Sequence, residues 1–376
     1  MGVKKHIGGH EEGVIPQIEP WIGEEELRQL AEVVESTWLI EGEKTHLFEM
    51  KFAELVGCRH AVAVNNATAG LYCCLKALGV GAGHEVIIPD LTFIATANSV
   101  IWAGATPVLA DIDENTFNID PASVEEKISS RTRALMPVHL YGQSADMEAI
   151  LAIARRHGLV VVEDAAQGVG AKFQDRHVGG LGAVGCFSFY GNKTITTGQG
   201  GMITTDDEQI QRRCLILKNH GRTEKGTFIH HHIGYNFCFT DLQAALGLAQ
   251  LTRLDHILER KRNSIELYRA CLSELETVRF PAGDPRCDAV PWFTNILVDD
   301  PGALGAHLSK AGVGTRRFFH PLHRQPCYRG RWSEEFPTTD RVYGQGLSLP
   351  SSATLTEDQI VFVCQEIKNF LGFKKL

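Results

Sequence analysis

Between residues 60 and 163 the chain repeats one pattern: a short apolar run, a small or polar turn, then helical spacing. The apolar runs are HAVAV at 60–64, EVII at 85–88, TPVLA at 106–110, ALMPV at 134–138 and LVVVE at 159–163. Stretches with helical spacing follow at 65–78, from 91–97 onward, and at 122–128 and 146–156. Parallel strands cannot be joined by a tight turn and need a crossover, usually a helix. The alternation therefore predicts an α/β fold with a mainly parallel, doubly wound sheet wrapped by helices. Ligands on such sheets collect at the carboxyl ends of the strands. Thr68, Phe93, His139 and Asp164 all fall at such ends.

The first of these ends carries Asn65-Asn66-Ala67-Thr68-Ala69-Gly70. Small residues between a strand and a helix N-terminus leave free N–H groups at a positive dipole end, which suits an anion. The same residues also fit an ordinary helix capped by Asn or Thr. Phe93, just past the second strand, could lie flat against a planar ring, although an aromatic there is more often plain core.

The stretch at 184–205, VGCFSFYGNKTITTGQGGMITT, carries the strongest chemical signal. Two β-rich runs flank a glycine-hinged loop holding Lys193 among Asn192, Thr194, Thr196 and Thr197. A lysine amine becomes a nucleophile when its site desolvates it and holds it against a carbonyl. Most loop lysines are simply solvated. Here Asp164 ends the apolar strand VVVED, and a Schiff-base lysine with an acid for a pyridine nitrogen marks pyridoxal phosphate (PLP) enzymes. Metal binding is not expected.

Two motifs are set aside. Gly180-Leu181-Gly182-Ala183-Val184-Gly185 matches G-x-G-x-x-G, but a polar loop precedes it and a β-type run follows, so dinucleotide binding is rejected. Gly185 to Thr194 resembles a P-loop with one residue too many, and a strand follows where a helix is needed. His230-His231-His232 reads as a loop, since adjacent side chains of an extended segment point in alternate directions. Ten scattered cysteines without a C-x-x-C pair suggest small buried hydrophobes in a reducing cytoplasm. A balance of 37 basic against 45 acidic residues, net −8, argues against nucleic acid or a membrane surface as the partner. No apolar run is long enough to span a membrane, and residues 1–14 read as a tail without the core of a signal peptide.

A chain of 376 residues is long enough for two domains. They are expected at 15–254 and 255–376, linked by a long amphipathic helix at 254–275, with the first helices (24–37 and 42–56) on either one. Helices at 207–219 and 241–251 complete the first. The second is expected to hold a strand at 294–297, helices at 301–311 and 357–370, and a loop at 316–323.

Three segments, VVEDAAQ (161–167), SFYGNKTITTGQGGM (188–202) and IGYNFCFTDLQAALGLAQL (233–251), resemble the sugar-nucleotide aminotransferases of the DegT/DnrJ/StrS family. The resemblance covers about residues 15–370. It implies the aspartate-aminotransferase fold (PLP fold type I), with a smaller C-terminal α/β domain, pyridoxal 5'-phosphate as cofactor, and a homodimer with shared active sites. Lys193 would carry PLP and shuttle the proton, while Asp164 would pair with the ring nitrogen. Gln167 would bond the ring hydroxyl and Phe93 would stack on the ring. Thr68, Ala69 and Ser188 would hold the phosphate, and Asn236 would arrive from the neighbouring subunit. Arg222 and His320 are further candidates, for the sugar nucleotide.

The GNKTITTG form is most similar to the GDP-perosamine synthase branch, which implies L-glutamate as amino donor and GDP-4-keto-6-deoxymannose as the keto sugar nucleotide. A UDP- or dTDP-linked keto sugar, or an eight-carbon keto sugar acid, would suit the same chemistry, and a silent PLP-binding regulator is the reading of another class. The family's phosphate turn usually reads Ser-Gly-Thr, whereas this chain has Asn66-Ala67-Thr68. Alanine tolerates positive φ poorly, so a turn needing a left-handed residue there would be strained. Gln199 stands where the family usually has glutamate. One branch has histidine in place of the lysine and dehydrates its substrate, so Lys193 favours transamination.

Overall fold

The computed structural model describes residues 13–224 and 228–372. The expected tail at 1–14 lies, but for its last two residues, outside them. Seven strands form the central sheet, in the order His60–Val64, Gly201–Thr205, Val184–Ser188, Val160–Asp164, Thr132–Leu135, Glu85–Pro89 and Thr106–Ala110. The five from Val184–Ser188 to Thr106–Ala110 pair in parallel. Gly201–Thr205 is antiparallel to both of its neighbours, so it alone runs against the rest. Helices cover both faces, which is why these strands are nearly continuous apolar runs rather than alternating ones.

On one face the helix Glu43–Val56 buries Phe48, Phe52 and Val56, spaced four apart. The Phe52 ring meets Phe187 at 4.9 Å and Phe189 at 5.2 Å, both edge-on, joining the helix to the strand that leads to Lys193. On the other face the helix Ala67–Ala77 is buried almost all round. Gly70 is required there, because a Cβ would sit 2.5 Å from Cys186 Sγ. Cys73, Cys74, Cys186, Cys214 and Cys364 are buried, four others are half-buried and Cys327 is exposed; all ten are unpaired. Burial pushes the Cys73 thiol up to about 12, so it packs as an inert apolar group.

The first two helices lie against Asp241–Thr252, which packs on the central sheet. The segment before them reaches the C-terminal part. Ile15 bridges Val313, and Gln17 accepts the Ser351 N–H. The C-terminal sheet is antiparallel, in the order Thr294–Leu297, Gly346–Leu349, Arg316–Arg317. Tyr268, Leu304, Leu308, Val363 and Ile367 form its core with the helices Leu254–Leu272, Pro301–Lys310 and Glu357–Phe370.

Two elements here were not expected from the sequence: Gly346–Leu349 and the helix Pro337–Gln345. The strand is only four residues long and begins with a glycine, which weakens its β signal. That glycine is dictated by packing, since a Cβ would lie 2.3 Å from the Phe318 ring. Arg316–Arg317, expected as loop, forms a two-residue edge strand. Near the site, the helix expected to open at 91–97 begins only at Ala95, which leaves Phe93 on a turn.

Candidate active site

Asp164 ends its strand, and alternation along that strand sends Glu163 and Asp164 to opposite faces. The Asp164 side accepts the Thr96 hydroxyl at 2.8 Å and the Ala166 N–H at 3.2 Å. It is only 4% exposed. Burial raises its pKa, against the opposing pull of the Thr96 and Ala166 hydrogen bonds and of Lys193. Glu163, on the other face, meets His139 Nε2 at 2.9 Å and the amides of Gly179, Leu181 and Gly182 at 2.6–2.7 Å. His139 Nδ1 accepts the Ala145 N–H, so its proton sits on Nε2 and points at Glu163. His139 therefore stands at a strand end but is turned into the packing behind the site.

Lys193 sits in the loop after Val184–Ser188, its N–H donating to the Tyr190 carbonyl. Its amine lies 3.5 Å from the centroid of the Trp292 ring. Trp292 in turn donates from its indole nitrogen to the carbonyl of Asn192, at 2.7 Å. Burial lowers the Lys193 pKa to about 7, Asp164 pulls it back up, and Arg316 adds to the lowering. An amine with that pKa is about half neutral near pH 7, and the neutral form is the one that can act as nucleophile or base.

The turn after His60–Val64 is held by its cap. Asn66 Oδ1 accepts the Ala69 N–H at 2.9 Å, and Asn66 itself is extended at φ −168°. Ala67 does not take positive φ, so alanine costs nothing there and no left-handed strain arises. Among the described residues the N–H groups of Ala67 and Thr68 have no partner, whereas that of Ala69 is already used by the cap. Gly201 passes directly beneath, where a Cβ would lie 2.8 Å from the Ala67 nitrogen. Ser188 is its register partner, which sets Ser188 beside the turn.

Gln167 is buried and its Oε1 accepts the Tyr141 N–H at 2.7 Å, which leaves the Gln167 NH₂ as the end free to donate. Phe93 is 53% exposed, its ring 5.7 Å from that of Phe319. Its turn thus presents a face rather than a core side chain.

The model of the DegT/DnrJ/EryC1/StrS aminotransferases matches residues 20–368. The chain belongs to the DegT/DnrJ/EryC1/StrS aminotransferase family. It is 40% identical to the spore coat polysaccharide biosynthesis protein SpsC of Bacillus subtilis, over 95% of this chain and 97% of that one. It is 36% identical to the GDP-perosamine synthase of Escherichia coli O157:H7, over 96% and 99%. The fold matches S. venezuelae DesV, solved in complex with a ketimine intermediate, with a TM-score of 0.89 and 34% identity, covering 94% of this chain and 95% of that one. This family member is a sugar aminotransferase, and pyridoxal phosphate is its cofactor.

The residues present fit that group. Two unpartnered amides at the start of Ala67–Ala77 suit a phosphate. A buried carboxylate with a raised pKa, Asp164, suits a protonated ring nitrogen, whose charge would relieve the cost of burial. A lysine amine with a pKa near 7 suits an aldehyde carbon.

Three further candidates make no hydrogen bond or ion pair with Lys193 or Asp164 among the described residues. Asn236 is exposed, bridges Asn219, and its carbonyl takes a hydrogen bond from Asn65 of the same chain. Arg222 stands over Phe228 with its Nε buried and unpartnered. His320 is exposed, held by the Tyr343 hydroxyl and the Arg324 carbonyl.

The G-x-G-x-x-G run does cradle an anion, but the anion is the chain's own Glu163. The triple histidine lies in a loop, with His230 Nδ1 on the His220 carbonyl. Thr96, Trp292 and Arg316 were missed from the sequence. Thr96 carried a signal, as it follows a strand end, and Arg316 opens the loop expected at 316–323; Trp292 arrives from the C-terminal third without a motif.

Proposed function

We propose that this aminotransferase moves an amino group from L-glutamate to a keto sugar nucleotide, GDP-4-keto-6-deoxymannose, giving GDP-perosamine. The observation that carries the reading is the pairing of Lys193 and Asp164 at the carboxyl ends of two neighbouring interior strands, within a lysine loop of the GNKTITTG form. Similarity to a GDP-perosamine synthase over nearly both full lengths supports the choice of sugar.

Pyridoxal phosphate, when bound, supplies an electron sink for the carbon from which a proton is removed. The chain's own residues do the rest. The amides of Ala67 and Thr68, with Ser188, would hold the phosphate. Asp164, oriented by Thr96, would keep the ring nitrogen charged, and Gln167 would donate to the ring hydroxyl through its free NH₂. Phe93 would cover one face of the ring. Lys193, with a pKa near 7, would take and return the proton at Nζ, while the Trp292 ring keeps water from that amine.

The active unit is proposed to be a cytoplasmic dimer in which Asn236 serves the neighbouring site. Exposed Phe228, Ile229 and Ile233, on the segment leading to Asn236, support it. Incubation with glutamate and a panel of GDP-, UDP- and dTDP-linked keto sugars, read by mass spectrometry for replacement of oxygen by nitrogen, tests the assignment. Turnover of a UDP-linked sugar with none of the GDP-linked one would rule it out.

A further inference from the structure

Tyr141 has no role in the assignment above, yet three parts of the site are tied to it. Its N–H donates to Gln167 Oε1 at 2.7 Å. Its carbonyl accepts the N–H of Trp292, the residue beneath the Lys193 amine, at 2.9 Å. Its hydroxyl accepts the N–H of Phe319 at 3.2 Å. The ring is 5% exposed and stacks on Phe319 at 5.5 Å, with planes 10° apart. Phe319 lies on the segment that also holds Arg316 and His320, and its ring meets Phe93.

Making these contacts together requires an unusual backbone. Tyr141 takes φ 56° and ψ 18°, a left-handed conformation that a bulky residue seldom adopts without a reason. The turn cannot relax, because Gly142, at φ +88°, lies so close to the Val290 carbonyl that no Cβ would fit. Strained backbone that its surroundings over-determine concentrates at functional sites.

We propose that Tyr141 is a positioning residue that holds segment 316–320 at the mouth of the site, in register with Gln167 and Trp292, to receive the sugar nucleotide. The part concerning the sugar rests on the proposed function; the hold on the segment does not.

Tyr141→Phe removes only the bond to Phe319 and keeps the ring, the backbone turn and its two other anchors. Without added cofactor, amide exchange followed by mass spectrometry should quicken at 316–320 by about five- to tenfold, the worth of one neutral hydrogen bond. Exchange at 164–167 and 290–293 should stay as in the parent. In the loaded enzyme, KM for the keto sugar nucleotide should rise by a similar factor while the half-reaction with glutamate stays within about twofold. Unchanged exchange at 316–320, or an unchanged KM, overturns the proposal. So does an equal loss in both half-reactions, which would mark Tyr141 as merely structural. If the parent protein turns over no sugar nucleotide, the substrate reading fails, and the exchange measurement still decides whether Tyr141 holds the segment.

Discussion

The Trp292 indole holds the lysine loop twice, through its ring under the Lys193 amine at 3.5 Å and through its N–H on the Asn192 carbonyl at 2.7 Å. It shields the amine from water on one side, and that loss of water drives the Lys193 pKa down to about 7.

In protein freed of cofactor, labelling of Lys193 by an amine-selective reagent should therefore be half-maximal near pH 7. Surface lysines should need about three units more, following their ordinary value of ~10.4. Peptide mapping across a pH series reads both at once. A midpoint for Lys193 above about pH 9 would show the amine to be hydrated rather than desolvated beneath Trp292.

Asp164→Asn keeps the size of the side chain and the Thr96 contact but removes the charge. Pyridoxal phosphate should still bind, while turnover should fall by roughly 10²–10³-fold, as expected for deleting one preorganised electrostatic partner. Cofactor content by absorbance and single-turnover rates with glutamate separate the two effects. Full activity in this variant would remove Asp164 from the mechanism.

Asn66→Ala should cost about 1 kcal/mol of stability, because the Ala69 N–H loses its cap. It should also weaken binding of the cofactor phosphate, since the helix start would no longer be fixed above Gly201. Thermal unfolding with and without pyridoxal phosphate checks both; a variant stabilised by cofactor as much as the parent contradicts the second point.

Glu163 gives an acid-side prediction. Burial pushes its carboxyl up, but His139 and the amides of Gly182 and Gly179 outweigh it and hold the pKa below the usual range. A depressed carboxylate contributes stability that is present above its unfolded pKa, about 4.3, and lost as pH falls through the folded value. Glu163→Gln should lower stability by roughly 3 kcal/mol at pH 7, in line with hydrogen bonds to a charged group. It should also flatten the fall in stability below about pH 5. Urea midpoints at pH 7, 5 and 4 for both proteins measure the difference; parallel curves would refute the linkage.

The strand positions were legible because burial on both faces forces continuous apolar runs, and the runs at 60–64 and 106–110 matched the structure to the residue. Lys193 and Asp164 could be read because strand ends are where a parallel sheet displays its side chains. Trp292 and Arg316 could not, since tertiary packing alone brings them to the lysine. The left-handed backbone of Tyr141 leaves no mark in the sequence, as the residue type gives no hint of it. The turn at Ala67 shows the opposite failure: a departure from the family's glycine that looked costly is harmless, because the cap is extended there.

The single reversed strand of the central sheet, Gly201–Thr205, is bonded along one side to His60–Val64, which leads to the Asn66 cap, and along the other to Val184–Ser188, which leads to the lysine loop. The two grips proposed for the cofactor thus share a common ruler. A slip of that strand would shift both together, so the span between them is set by backbone pairing rather than by any flexible side chain.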